Sequence, residues 1–160
     1  MAVVLDTSAV IGWLERRNQR VADAIGDLGE VPLIHVVTLG ELHEGVARAR
    51  DLPEDDQRSR AATLRFTLDE LDLASPPDAR EAEVFGVVSA ATSRRLSHND
   101  KWIASRAILG GHSLITEDDN LADAIETDAV SDAIQALGLP CPAIIRCTPR
   151  ASPAEDETSD

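Results

Sequence analysis

The sequence predicts an α/β fold in which helices flank a mostly parallel central sheet. Short apolar segments rich in β-branched residues alternate with longer segments whose apolar residues recur at helical spacing. Parallel strands need crossover connections of a dozen or more residues, and the segments between the apolar runs are long enough to provide them. Functional sites in such sheets form at the carboxyl ends of the strands.

Five short apolar segments are predicted strands. The first, Ala2–Leu5, is a continuous apolar run, which is typical of a strand buried on both faces. The other predicted strands cover residues 32–37, 71–73, 113–116 and 143–145. Acidic residues directly follow the first and the fourth of these strands, so we expect acids at one edge of the sheet.

Helical periodicity predicts the connections. Thr7 or Ser8 is a candidate N-cap for the first helix, and Thr38 for the third, with Glu41 at capping-box spacing. Gly29 is placed to end the second helix. The predicted helices cover residues 9–16, 19–28, 39–50, about 53–70, 78–95 and 101–109, with helical segments over about 121–137.

Length and charge set limits on function. The 160 residues suit one domain, which we place at residues 1–147, and the Pro-, Ser- and acid-rich remainder, 148–160, is expected to be a disordered tail. The formal net charge of −14 argues against non-specific nucleic-acid binding over the whole surface. Any contact with nucleic acid must therefore be local.

The sequence favours a cytoplasmic protein. No basic segment followed by an apolar core opens the chain, and no apolar run approaches the roughly 20 residues that span a bilayer. Cys141 and Cys147 have no zinc-ligand spacing, and two reduced thiols are favoured over a disulfide.

Four acids lie where predicted strands end or predicted helices begin: Asp6, Glu41, Asp100 and Asp118. Each has a simple structural explanation alone. Asp6 and Asp118 can cap helices, Glu41 fits a capping box, and Asp100 suits a helix N-terminus. Taken together, they indicate a metal site, because clustered carboxylates repel one another unless a cation binds them. Oxygen ligands favour Mg²⁺ or Mn²⁺ over zinc.

A site of this kind suits phosphodiester hydrolysis, in which the cation positions the phosphate and lowers the pKa of an attacking water. A phosphatase of the haloacid-dehalogenase type is a poor alternative. That chemistry requires a second acid two residues after Asp6, where this chain has Ser8.

Four motifs of the chain resemble the PIN domain family, and more narrowly the VapC-type toxins of bacterial toxin–antitoxin pairs. The third motif, around Asp100, is the most specific match, and the resemblance spans about residues 2–146. In order, the motifs are VVLDTSAVI (3–11), TLGEL (38–42), SHNDKWIA (97–104) and LITED (114–118).

The resemblance implies a PIN-like three-layer α/β sandwich and a Mg²⁺- or Mn²⁺-dependent endoribonuclease. It implies that Asp6, Glu41, Asp100 and Asp118 line the metal site, with Asp6 and Asp100 the first candidates for direct ligands. It also implies an RNA substrate, an antitoxin partner and a homodimer. The antitoxin would reach the carboxylates with an arginine.

Several neighbouring residues are secondary candidates. The Thr116 hydroxyl is expected to hold a water or ligand, Asn99 to support the ligands, and Asp119 competes with Asp118 for the fourth position. His98 and Trp102 are better explained by a loop hydrogen bond and by packing. Local phosphate contacts could come from two groups, Arg16, Arg17 and Arg20, or Arg94, Arg95 and Lys101.

Two other functions remain open. One is a housekeeping PIN ribonuclease in RNA processing, and the other is a catalytically inactive binding module that keeps the fold. All four acids are present, which favours an enzyme.

Overall fold

The computed structural model describes residues 2–92 and 96–149, which form five strands and eight α-helices. A short 3₁₀ turn, Ala49–Asp51, follows the third helix. In chain order the elements are β1 (Ala2–Leu5), α1 (Thr7–Leu14), α2 (Gln19–Leu28), β2 (Val31–Ile34), α3 (Val36–Arg48), α4 (Glu54–Glu70), β3 (Asp72–Leu73), α5 (Ala79–Ala91), α6 (His98–Gly110), β4 (Ser113–Thr116), α7 (Asp119–Ile125), α8 (Asp128–Ala136) and β5 (Ile144–Arg146).

The five strands form one sheet in the order β3-β2-β1-β4-β5, and every pair is parallel. Leu5 at the end of β1 lies opposite Ile34 of β2 and Ile115 of β4. The carboxyl ends of the three central strands therefore meet at one edge. The predicted α/β fold with a parallel sheet is confirmed.

Side chains of β1 alternate between two cores. Val4 packs with apolar residues of α5, α6, α7 and α8 on one face of the sheet. Val3 and Leu5 pack on the other face with residues of α1, α2 and α3. The central strand is thus buried on both sides, as its continuous apolar sequence predicts, and the layers are helix, sheet and helix.

The predicted caps Thr7 or Ser8 for α1 and Thr38 for α3 are wrong, whereas the interpretation of Asp6 as a helix cap is confirmed. Asp6 caps α1, since its Oδ1 accepts a hydrogen bond of 2.6 Å from the backbone N–H of Ala9. α3 begins at Val36, before the predicted Thr38 cap, because the His35 ring accepts a hydrogen bond from the Val37 N–H. This early start also ends β2 at Ile34, whereas residues 32–37 were expected to be a strand.

The capping box belongs to α6. Ser97 and Asp100 exchange side-chain and backbone hydrogen bonds, so that helix begins at His98, three residues before the predicted start. α5 ends at Ala91, and residues 93–95 of the predicted helix lie outside the described residues. β5 covers residues 144–146, one residue later than predicted. Gly29 ends α2 in the left-handed conformation, as predicted.

The last described residues remain attached to the domain. The Thr148 hydroxyl donates to Asp119 over 2.7 Å, and the Cys147 N–H donates to the Thr116 carbonyl over 2.8 Å. The acidic residues 150–160 lie outside the described part. Within residues 2–92 and 96–149, no helix combines the length and apolarity that a bilayer crossing requires.

A buried polar network joins α3, α5 and α6. The Glu81 carboxylate is inaccessible to solvent and pairs with Arg106, while His35 Nε2 lies 3.1 Å from Glu81 Oε1. Burial, reinforced by the Arg106 charge, lowers the pKa of His35 to about 4. The imidazole is therefore neutral at physiological pH. The network ties the helix that carries Glu41 to the helix that carries Asp100.

The network makes Glu81 a strong determinant of stability. Replacing Glu81 with Ala leaves the largely buried Arg106 without its partner, and we expect a loss of about 3–5 kcal/mol in unfolding free energy. Glu83→Ala is the matched control, since Glu83 lies on the same helix and pairs with Arg80 on the surface. It should cost less than about 1 kcal/mol. Urea unfolding of both variants measures the difference, and equal losses would contradict the prediction.

Candidate active site

Asp6 lies at the end of the central strand and is almost completely buried, with 3% of its surface exposed. Its carboxylate accepts hydrogen bonds from the Thr116 hydroxyl at 2.6 Å and from the Ser8 hydroxyl at 2.9 Å, besides the α1 cap. Burial nevertheless dominates, and it raises the pKa of Asp6 to about 6, with a further contribution from the charge of Asp100.

Glu41 lies on α3 and is held by two donors from neighbouring helices. The Thr7 hydroxyl of α1 donates to Oε2, and the Asn99 amide of α6 donates to Oε1 over 2.7 Å. Glu41 therefore links α3 to α1, which follows β1, and to α6, which carries Asp100. Asn99 thus hydrogen-bonds directly to Glu41, one of the four acids that it was expected to support.

Asp100 lies in the first turn of α6 and is the electrostatic neighbour of the other three acids. Burial is the main cause that raises its pKa, hydrogen bonds from Ser97 oppose the shift, and the charges of Asp118 and Glu41 add to it. The charge of Asp100 in turn raises the pKa of Asp6. The charges of Asp6, Glu41 and Asp118, the other acids that the sequence singled out, thus each interact with that of Asp100.

Asp118 and Asp119 contact different parts of the protein. Asp118 caps α7 through its Oδ1, which accepts from the Asn120 N–H over 2.8 Å, and its charge acts on Asp100. Asp119 is exposed, accepts from the Thr148 hydroxyl and lies 3.8 Å from Arg146. The geometry therefore favours Asp118 over Asp119 as the fourth acid.

Thr116 joins two of the acids. Its buried hydroxyl donates to Asp6 and accepts a hydrogen bond of 2.8 Å from the Asp118 N–H. Ser8 plays a parallel part, since its hydroxyl donates to Asp6 and accepts from the Glu117 N–H over 3.0 Å. Sequence reasoning treated Ser8 and Thr7 only as helix caps. The signal available was their position directly after a strand-ending Asp.

The donor set fits a hard divalent cation. All four acids offer carboxylate oxygens, and a cation beside the buried Asp6 would favour its charged form. Among the described residues, no three His, Cys, Asp or Glu side chains could hold an ion as they stand. Mg²⁺ keeps several waters and binds through only one or two carboxylates, so a site with fewer than three protein ligands is compatible with this cation.

The remaining candidates divide between the site and the core. Arg16 contacts Glu117 and lies near the Ser8 carbonyl, at the edge of the site. Lys101 is 7% exposed, and its ammonium group donates to Ser89 of α5, so it packs between helices. The Trp102 ring stacks on Phe85, with ring centres 4.3 Å apart, which confirms the packing interpretation.

His98 is exposed at the first position of α6, and its ring centre lies 6.1 Å from that of Phe85. A loop position with a hydrogen bond was expected for it, whereas it begins a helix. Arg94 and Arg95 lie outside the described residues.

The raised pKa of Asp6 predicts that Asp6→Asn stabilises the metal-free protein. The folded chain binds an extra proton between 3.8 and about 6, so wild-type unfolding free energy falls as pH rises through that window. At pH 7.5 the variant should be more stable by about 1–2 kcal/mol, after the loss of one hydrogen-bond acceptor.

The gain should vanish near pH 4, where Asp6 itself is protonated. His35 has the opposite effect, since its lowered pKa removes stability as pH falls below 6.5, but it is present in both proteins and cancels in the difference. Urea unfolding at the two pH values in EDTA measures the effect. A gain that does not depend on pH would contradict the assignment.

Comparison with known proteins supports one family. The PIN domain model matches residues 3–126. VapBC-5 from Mycobacterium tuberculosis, described as a member of the VapBC family of toxin–antitoxin systems, is 30% identical, with 91% of this chain and 99% of that chain covered and a TM-score of 0.62. No curated protein gives a significant match.

Two more distant structures share the fold. VapBC2 from Rickettsia felis, bound to a DNA fragment from its promoter, is 17% identical, with 91% and 98% of the two chains covered and a TM-score of 0.65. DNA-bound VapBC from Salmonella typhimurium is also 17% identical, with coverage of 92% and 98% and a TM-score of 0.65. The chain belongs to the PIN domain family, and the 30% identity to VapBC-5 supports a place among its VapC-type toxins.

Proposed function

We propose that this chain is a Mg²⁺- or Mn²⁺-dependent endoribonuclease that acts as the toxin of a toxin–antitoxin pair. The observation that carries the proposal is the buried Asp6, with Asp100, Glu41 and Asp118 in electrostatic contact at the carboxyl edge of a PIN-family sheet. A buried acid with a raised pKa in such a cluster is a recurrent sign of a functional site.

Asp6 and Asp100 are the proposed direct ligands. A cation held there would supply Lewis-acid chemistry, that is, a counter-charge for the phosphodiester and a lowered pKa of the attacking water. Thr116 and Ser8 orient Asp6 by donating to its carboxylate. Their two hydroxyls are in turn positioned by backbone N–H donors that follow β4. The strand ends thus fix the direction in which Asp6 faces.

Glu41 and Asp118 are proposed to orient waters of the site. The hydrogen bonds from Thr7 and Asn99 hold both oxygens of Glu41, and their remaining lone pairs can accept from the attacking water. The cap of α7 uses only Oδ1 of Asp118, which leaves Oδ2 for a water or ligand. Both acids can take a proton from water at these atoms.

An antitoxin is the proposed regulatory partner. A cluster of carboxylates attracts a cationic side chain, and an arginine inserted among them would displace metal and substrate together. VapBC-5, which is 30% identical, is described as part of a toxin–antitoxin system. The homodimer implied by the resemblance remains a prediction.

Three substitutions test the catalytic assignment against a matched control. Asp6→Asn, Asp100→Asn and Asp118→Asn should each lower Mn²⁺-dependent cleavage of single-stranded RNA by at least about 100-fold. Asp119→Asn should stay within a few-fold of wild type, since Asp119 faces Thr148 and Arg146. Initial rates on a labelled RNA, with circular dichroism as a folding control, measure both. An inactive Asp119→Asn beside an active Asp118→Asn would reverse the assignment.

Growth assays test the biological role. Expression of the wild-type chain alone should arrest growth, while Asp6→Ala should not, and coexpression of a neighbouring antitoxin gene should restore growth. Metal-dependent cleavage without any growth arrest would favour a housekeeping ribonuclease. Purified protein that neither binds Mn²⁺ nor cleaves any RNA would favour an inactive binding module.

A further inference from the structure

We propose that the turn after α1 binds the phosphates of the RNA strand beside the active site, and that Arg17 is its principal phosphate ligand. We name residues 15–20, which carry Arg16, Arg17 and Arg20, the arginine turn. The inference rests on the proposed function, because it takes RNA to be the substrate.

Arg17 occupies a backbone conformation that favours glycine. Its φ is +54°, in the left-handed region, where a Cβ crowds the backbone. The Asn18 N–H reaches back to the Gly12 carbonyl over 2.8 Å and closes the end of α1. A glycine normally takes the left-handed position of such a helix end.

The chain follows that rule elsewhere. The other left-handed residues in the described part are Gly29, Gly111 and Gly138, and the first two end α2 and α6. Arg17 is thus the one left-handed residue in the described part that is not a glycine. A non-glycine residue held in the left-handed region is a reason to look for function in its side chain, and the Arg17 side chain is exposed.

A buried acid ties the arginine turn to the active site. Glu117 accepts hydrogen bonds from the Arg16 guanidinium and, over 2.5 Å, from the Asn18 amide. Its carboxylate fills the space beside Gly12, where an added Cβ would lie 1.7 Å from Oε1. The Glu117 N–H donates to Ser8, which contacts Asp6. Glu117 therefore links the turn to Asp6, since its carboxylate binds the turn and its backbone N–H binds the Ser8 hydroxyl that contacts Asp6.

The turn also carries positive charge that no carboxylate of residues 2–92 and 96–149 neutralises. Glu117 compensates Arg16, but among the described residues no acid lies within 4.0 Å of the cationic groups of Arg17 or Arg20. Arg20 instead donates to the backbone carbonyls of Thr148 and Arg146.

The turn is also linked to the end of β4. The Cys147 thiol donates to the Arg20 carbonyl over 3.5 Å, and the Cys147 N–H donates over 2.8 Å to the carbonyl of Thr116, whose hydroxyl contacts Asp6. With a net charge of −14, the protein repels RNA over most of its surface. Arginines without a carboxylate partner in the described part, on a turn that Glu117 and Ser8 link to Asp6, supply the local attraction that a phosphate backbone needs.

Three substitutions of Arg17 separate the effect of its side-chain charge from the effect of its strained backbone. Arg17→Gly and Arg17→Asn remove the charge and tolerate the left-handed backbone, whereas Arg17→Lys keeps both charge and strain. Arg65→Ala on α4 is the control for charge loss at a distance, since Arg65 is exposed and pairs with Asp69 of the same helix. The full chain is used in EDTA, so that a labelled single-stranded RNA of mixed sequence binds without being cleaved.

Stability and RNA binding should change in opposite directions. Arg17→Gly and Arg17→Asn should raise the urea midpoint above that of wild type and weaken RNA binding several-fold. They should also reduce the magnitude of the slope of log K against log salt by about 0.7, which corresponds to one phosphate contact. Arg17→Lys should keep the wild-type slope and midpoint. Arg65→Ala should bind RNA within two-fold of wild type.

Other results would overturn the inference. If wild type cleaves RNA and Arg17→Gly binds it as well as Arg65→Ala does, the arginine turn does not hold the substrate while the proposed function stands. If Arg17→Gly loses antitoxin binding but not RNA binding, the surface serves a protein partner. If wild type neither binds nor cleaves RNA, the proposed function fails with it, and only the stability difference at Arg17 remains.

Discussion

The site depends on an ionisable carboxyl group buried at the end of the central strand. Asp6 cannot move away from its position, because β1 is hydrogen-bonded on both sides and packed on both faces. Its charge is expensive there, and donors from Ser8, Thr116 and Ala9 only partly offset the loss of hydration. The fold therefore holds a carboxyl group whose charged form a cation would favour. The other three acids are arranged around that constraint.

The structural and functional explanations of the acids turn out to be compatible. Asp6 caps α1, Asp118 caps α7, and Asp100 completes a capping box with Ser97. A cap leaves lone pairs unused and sets the orientation of the carboxylate from the first turn of a helix. Helices that begin at the carboxyl ends of parallel strands thus orient acids toward one edge. Only Glu41 is held by side chains alone.

The acidic charge of the chain makes local cations important. Most described arginines pair with carboxylates, for example Arg106 with the buried Glu81 and Arg146 with a group of acids on α7 and its C-terminal end. The arginine turn differs, because Glu117 neutralises only one of its three guanidinium groups. The proposed phosphate contact and the strained backbone of Arg17 therefore lie in the same short segment, the arginine turn.

Sequence alone determined the α/β class, the five strands and the four acids, because each rests on local signals: apolar runs, helical spacing and an acid at a strand end. Tertiary structure decided what depends on contacts between distant segments. His35 rather than Thr38 caps α3, next to the buried Glu81. Asp118 rather than Asp119 faces Asp100, since Thr148 and Arg146 take Asp119. Local propensity favours Thr38 over His35 as a cap and does not separate Asp118 from Asp119, so the partners that the packed chain brings to each residue decide both cases.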